Sequence, residues 1–256
     1  MRKIIISFLS MLFLSALLIP SFAQKKTAEK KMTWTTSSPA AKTLALHGAN
    51  HLMNAETALA YEDLMAAVKL DPNFTVALAL LSNITTGATR KAYIQRTLNS
   101  AKNKTAGEKL FASIVDPKLD EQKRRDNWDK LYKMFPDGEM ISNFYVQSRP
   151  TAEERFTAAT AYMKKFPKQA NIYNTIAYYY LNDNKDNAKA KEYFEKYIAM
   201  YPEGYNPYDS MGEYYLLTGD LENSKKYYSM SLEKYPFNIT SINALQKMAD
   251  DEKKMK

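Results

Sequence analysis

Apolar residues recur along most of this chain three and four apart, the spacing of one face of a helix, and runs that alternate with the period of a strand are almost absent. The pattern predicts helices joined in pairs. Two stretches make the pairing explicit, "AYYYLNDNKDNAKAKEYFEKYIAMYP" and "GEYYLLTGDLENSKKYYSMSLEKYP", whose closing Tyr-Pro dipeptides, ending at Pro202 and Pro236, stand 34 residues apart. A fixed period of this size is the signature of stacked helix hairpins, because one hairpin cannot bury its apolar face alone. With Pro236 as the end of a unit that begins at Tyr205, one helix carries Tyr208, Met211, Gly212 and Tyr215, and the next carries Ser224, Tyr228 and Ser231. Large residues alternate with small ones that let two helices approach.

The same template ending at Pro72 places Leu44, Gly48 and His51 on one helix and Ala60, Leu64 and Ala67 on its partner. Ending at Pro136, it gives Phe111, Ala112 and Val115, then Trp128 and Leu131, with Arg124 where a small residue is expected, which predicts a splayed or shifted pair. The unit ending at Pro202 requires one extra residue in the turn "NDNKDN", after which Tyr173, Ala177 and Tyr180 pair with Ala190 and Phe194. An insertion in a turn costs little. Residues 75–103 and 139–167 offer weaker copies broken by Gly87 and Pro150, and a last helix carries Ile242, Leu245 and Met248 behind Asn238, a candidate N-cap.

This arrangement resembles the tetratricopeptide repeat (TPR), over most of residues 41–254 and most strongly at 41–72 and 170–236. The resemblance implies an all-α fold, an α-solenoid of about six TPR-like helix-turn-helix repeats with a C-terminal capping helix, occupying residues 39–256. Such a stack is an elongated curved body with a concave face, and the resemblance implies a binding scaffold. Some members of the family grip a terminal carboxylate with basic groove residues; here the matching places hold Lys42, Ala45 and Ala49 in the first unit and acids in the last. That clamp is not expected.

Residues 1–23 change the address of the chain. Arg2 and Lys3, an apolar run from Ile4 to Ile19, and the small residues Ser21 and Ala23 around Phe22 form the layout of an export signal cleaved after Ala23. The run is short for a membrane span. With no cysteine in the chain there is no lipid attachment site and no disulfide, so the expectation is a periplasmic or secreted protein. Residues 24–38, lysine-rich and aperiodic, read as a flexible polar leader. Without residues 1–23 the chain has 34 Lys plus Arg against 28 Asp plus Glu, a net charge of +6, interleaved as in "KLDEQKRRDNWDKLYK". Interleaving of this kind argues against a nucleic-acid surface.

Candidate chemistry is sparse. Phosphate loops, nucleophile elbows and calcium loops are missing, so no enzyme and no cofactor are expected. His47 and His51 are four apart, a spacing two metal ligands can use, but nothing completes a site, and ordinary packed or half-buried histidines are the reading we adopt. Of the 19 tyrosines, 15 lie from Tyr162 onward. They could form a sugar-stacking surface, the basis of an alternative reading as an envelope-glycan-binding module. The register instead assigns Tyr173, Tyr180, Tyr208, Tyr215 and Tyr228 to packing. Tyr178 falls on the inner face with Asn171 and Asn174, and Asn206, Asp209 and Glu213 follow from the next pair. Amides donate and accept at once, so this set is the candidate groove for an extended segment of a protein partner.

Overall fold

The computed structural model describes residues 30–254, among which there are thirteen α-helices and no strand. Twelve helices form six antiparallel hairpins. They are α1 (Pro39–Met53) with α2 (Thr57–Leu70), α3 (Thr75–Ile84) with α4 (Gly87–Ser100), and α5 (Ala106–Ser113) with α6 (Glu121–Met134). Then come α7 (Glu139–Gln147) with α8 (Ala152–Lys165), α9 (Asn171–Tyr178) with α10 (Asn187–Met200), and α11 (Asn206–Leu217) with α12 (Leu221–Lys234). The last helix, α13 (Ile239–Lys254), packs on α12 and α11. Each hairpin leans on the next, so the chain is the all-α solenoid its periodicity predicts. Residues 1–29 lie outside the described residues, and with them the expected export signal and the first part of the expected leader.

Local chemistry explains where the helices start and turn. Thr105 and Thr151 form capping boxes with Glu108 and Glu154, while Asp120, Asp186 and Asp220 cap α6, α10 and α12 through backbone N–H groups three residues on. Between hairpins the chain reverses at Asp71-Pro72, Phe135-Pro136, Phe166-Pro167, Tyr201-Pro202 and Tyr235-Pro236. In each of these turns the carbonyl before proline accepts from the N–H three residues later, and proline presets the backbone there.

The small positions of the register do what the period implies. A Cβ added to Gly48 would stand 2.7 Å from Leu64 Cγ, and one added to Gly212 would stand 2.8 Å from the Tyr228 ring. Both glycines therefore sit against the partner helix of their own hairpin. Asn238 accepts from the Thr240 N–H at 3.2 Å, as an N-cap should. Ile242 remains partly exposed, whereas Met248 is buried.

Three departures from the sequence reading have physical causes. Residues 30–38 are no free leader: Met32 and Trp34 are buried, and the hydroxyl and N–H of Thr35 donate to Glu108 at 2.8 and 2.7 Å. Trp34 packs edge-on against Phe74, and the alternation of buried and exposed residues at 31–35 is that of an extended strap. The extra residue of the fifth unit is absorbed within the helix, where Tyr179–Asn184 continues α9 as a π-helical turn. The Asp186 N–H consequently reaches back six residues to Tyr180 O, while Glu56 and Asp220 reach back five, to His51 O and Tyr215 O. Arg124 does not keep its hairpin apart by bulk alone; its guanidinium donates to the carbonyls of Ile114 and Leu119 beyond the end of α5.

Candidate functional site

The superhelix curls far enough for its first hairpin to meet its fifth and sixth. The turn between α1 and α2 docks on α10 and on the α10–α11 turn, across about 145 residues of sequence. The open groove that the TPR resemblance implies is therefore divided. On one side lies a cleft of about 410 Å³ between the end of α1, α7, the start of α8 and α9. On the other lies a cleft of about 500 Å³ between α2, the α10–α11 region and the start of α13. Ala55, with positive φ at the tip of the turn, lines both.

The six groove candidates are distributed over this divided face. Asn171, Asn174 and Tyr178 line the first cleft; Asn206 and Asp209 line the second. Most have internal partners. Asn171 is buried and donates to Asn143 Oδ1 at 2.7 Å, and Asn206 donates to the Tyr197 hydroxyl at 3.2 Å. Asp209 is buried and accepts from Ser241 and Asn238 at 2.5 and 2.9 Å, so it anchors α13. Burial raises the Asp209 carboxyl above the ordinary range, and those two donors hold it back. Tyr178 donates to Glu213 at 2.5 Å, and burial, then the Glu213 charge, pushes its hydroxyl well above the ordinary tyrosine value. Asn206, Asp209 and Glu213 of the predicted groove set are thus held by internal partners.

Asn174 is the exception. Its carbonyl oxygen and the Nε–H of Arg155 are enclosed atoms without a hydrogen-bonding partner among the described residues, and both residues line the first cleft. The Asn171 carbonyl oxygen, on the same helix, is open in the same way. Gln147 and Thr175 bond to each other at 3.1 Å on the same wall, and Phe144 and Phe156 add apolar surface. Three enclosed, unpaired atoms on residues that line one cleft are unusual in a folded protein. Arg155 was not singled out by the periodicity, because an arginine on an amphipathic helix reads as a solvated charge.

Elsewhere the face carries structure. His47 is exposed, contrary to the packed position the register implies, whereas His51 is half-buried and bonds through Nδ1 to Glu56 Oε2 at 2.7 Å. No group of three or more His, Cys, Asp or Glu is arranged to hold a metal among the described residues. Six of the C-terminal tyrosines stack in pairs, Tyr180 on Tyr193, Tyr215 on Tyr227 and Tyr205 on Tyr235, which covers one face of each of these rings. No helix among the described residues is long and apolar enough to cross a membrane.

His51 supplies a pH prediction. The hydrogen bond to Glu56 raises its pKa above 6.5, burial opposes the rise, and the charges of Glu56, Asp63 and Glu62 assist it. A raised folded pKa contributes stability that is complete below the unfolded value and is lost as pH rises through the folded one. Urea titrations are therefore expected to show lower stability at pH 9 than at pH 6. His51→Gln should reduce that difference, and an unchanged difference in the variant would refute the assignment.

Fold and face together define a curled stack of helix hairpins with a polar, divided concave surface. No family model and no curated protein matches the chain. Among solved structures it is similar to a chain of the APC/C hetero-tetramer Cut9-Hcn1, at 14% identity over 81% of this chain and 42% of that one, with a TM-score of 0.49. The chain thus spans less than half of that protein. It is also similar to PilW, a type IV pilus biogenesis factor, at 11% identity over 82% and 100% of the two chains with a TM-score of 0.47. A thermophilic TPR protein of Thermus thermophilus matches at 16% identity over 81% and 98%, with a TM-score of 0.39.

Proposed function

We propose that this chain is a non-enzymatic protein–protein interaction scaffold of the cell envelope, which holds an extended segment of a partner protein in the cleft between α7, α9 and the end of α1. The observation that carries the reading is a cleft of about 410 Å³ whose walls set Gln147, Asn174, Asn182 and Arg155 beside Phe144 and Phe156. A peptide main chain offers one N–H and one carbonyl per residue, and side-chain amides can answer both. A preformed cleft loses little freedom when it takes up such a segment, which lowers the cost of association. The envelope address rests on the layout of Arg2, Lys3, Ile4–Ile19 and Ala23, and no cofactor is required.

A photo-crosslinking residue at Thr175, which lines the cleft, tests the reading in living cells. A discrete adduct with another protein is expected from Thr175 and not from exposed Lys130 on α6. Asn174→Ala combined with Arg155→Met should reduce its yield at least tenfold at unchanged helicity. Equal adducts from both positions, or a yield indifferent to the two substitutions, would overturn it.

A further inference from the structure

The residue just before the second helix of a hairpin has the same duty in most units. Asp120, Thr151, Asp186 and Asp220 each turn a side chain onto the helix they precede. Glu56, in that place before α2, makes no such cap. Its side chain reaches the far end of the molecule, where it is fully buried. There Oε1 accepts from the Tyr205 N–H at 2.9 Å, and Oε2 accepts from the Tyr201 hydroxyl at 2.8 Å and faces His51 Nδ1. Beside it the buried Tyr197 hydroxyl, itself held by Asn206, lies 3.2 Å from both Asn54 O and Asn54 Oδ1. Gly204 makes room: a Cβ there would stand 2.8 Å from Glu56 Oε1.

These contacts differ from the stacking contacts in kind. Neighbouring hairpins are joined largely by apolar surface, whereas the turn at 54–56 is held by hydrogen bonds to one carboxylate and one asparagine. Apolar clusters run from the strap to α7, around α8 and α9, and through α9 to α11. Asn54 and Glu56, both polar, belong to none of them.

We propose that the Asn54–Glu56 turn is a latch closed over the concave face, and that its release joins the two clefts flanking Ala55 into one continuous groove. The wall beneath it, formed by the hydroxyls of Tyr197 and Tyr201, the Tyr205 N–H and the Asn206 amide, is a binding surface filled by the chain itself. It carries donors and no cation, and its own occupant shows what it fits: a partner segment presenting a carboxylate beside a carbonyl. This deepens the scaffold reading above and rests on it for the partner, while the latch stands on its own contacts.

Absence of cysteine makes the test direct. Spin labels on Lys69→Cys and Glu222→Cys, both exposed, report the distance between the first and last hairpins. The latched chain is expected to give one narrow distribution. Glu56→Ala should add a longer, broader population with unchanged circular dichroism, and Tyr197→Phe with Tyr201→Phe, which keeps both rings, should do the same. A distribution unmoved in both variants overturns the latch. With the chain opened by Glu56→Ala, a fluorescent peptide of residues 51–58, His-Leu-Met-Asn-Ala-Glu-Thr-Ala, should bind at least tenfold more tightly than to the latched chain and lose affinity when its Glu becomes Ala. Equal binding to both chains, no binding to either, or indifference to the peptide carboxylate overturns the assignment of the wall. None of these readouts depends on the crosslinking partner at Thr175, so either proposal can fail without the other.

Discussion

Glu56→Ala is expected to lower stability by about 2–4 kcal/mol, read as a shift of the urea midpoint. Three groups lose their acceptor, the buried Tyr205 N–H, the half-buried Tyr201 hydroxyl and His51 Nδ1, and an unpaired buried donor costs about 1–3 kcal/mol. The upper end is not reached if the hairpin swings away and water replaces the carboxylate, so part of the effect should appear as a separate early transition. Helix α2 itself is little affected, because Glu56 provides no cap. Asp220→Ala is the control: it removes a cap from α12 and should cost about 1 kcal/mol without an early transition. Glu56→Gln keeps an acceptor oxygen and should fall between the wild type and alanine. Equal midpoints for Glu56→Ala and wild type would show that the turn adds nothing to the fold.

How much of this was legible depends on the range over which a signal acts. Large and small residues at fixed spacing report on contacts within a hairpin and between neighbours, and Gly48, Gly212, Ala177 and Phe194 occupy the positions the period gives them. The curl is different. It accumulates from small rotations at each of six hairpins and is sealed by pairs such as Glu56 with Tyr205, which no local pattern connects. Asn206 and Asp209 were read as groove residues and are buried, because a polar residue facing a groove and one buried beneath a neighbouring turn look alike in sequence. One clue was present: where Asp186 and Asp220 precede their helices with a short carboxylate suited to capping, Glu56 is one methylene longer.

The strap at 30–38 was missed for a related reason. A lysine-rich, aperiodic segment is usually solvated, yet Met32 and Trp34, two residues apart, bury the same face of an extended chain. Glu108 then serves twice, closing the capping box of α5 and accepting from Thr35. A double role of this kind is visible only when both partners are in place.

Gly212→Val is expected to destabilise the chain by about 3 kcal/mol, with the cost confined to the α11–α12 hairpin. Two effects compete when a side chain is added here. Removing glycine from a helix interior gains up to about 1 kcal/mol in alanine's case. Against that, a Cβ meets three atoms of the Tyr228 ring at 2.8 to 3.0 Å, and overpacking a core costs about 1–3 kcal/mol. Tyr228 is buried at 2% exposure and has little room to withdraw, so Gly212→Ala should already be unfavourable, by about 1 kcal/mol, and valine adds two branches to the same collision. The pair Gly212→Ala with Tyr228→Leu should recover most of the alanine loss, giving a coupling of at least about 0.5 kcal/mol in a double-mutant cycle. At Gly48 the same rescue with Leu64→Ala should be less complete, because the added Cβ also meets the backbone carbonyl of Ala60 at 3.2 Å, which cannot be trimmed. A Gly212→Ala protein as stable as wild type, or a cycle without coupling, would mean that the close approach of these helices does not set the register of the stack.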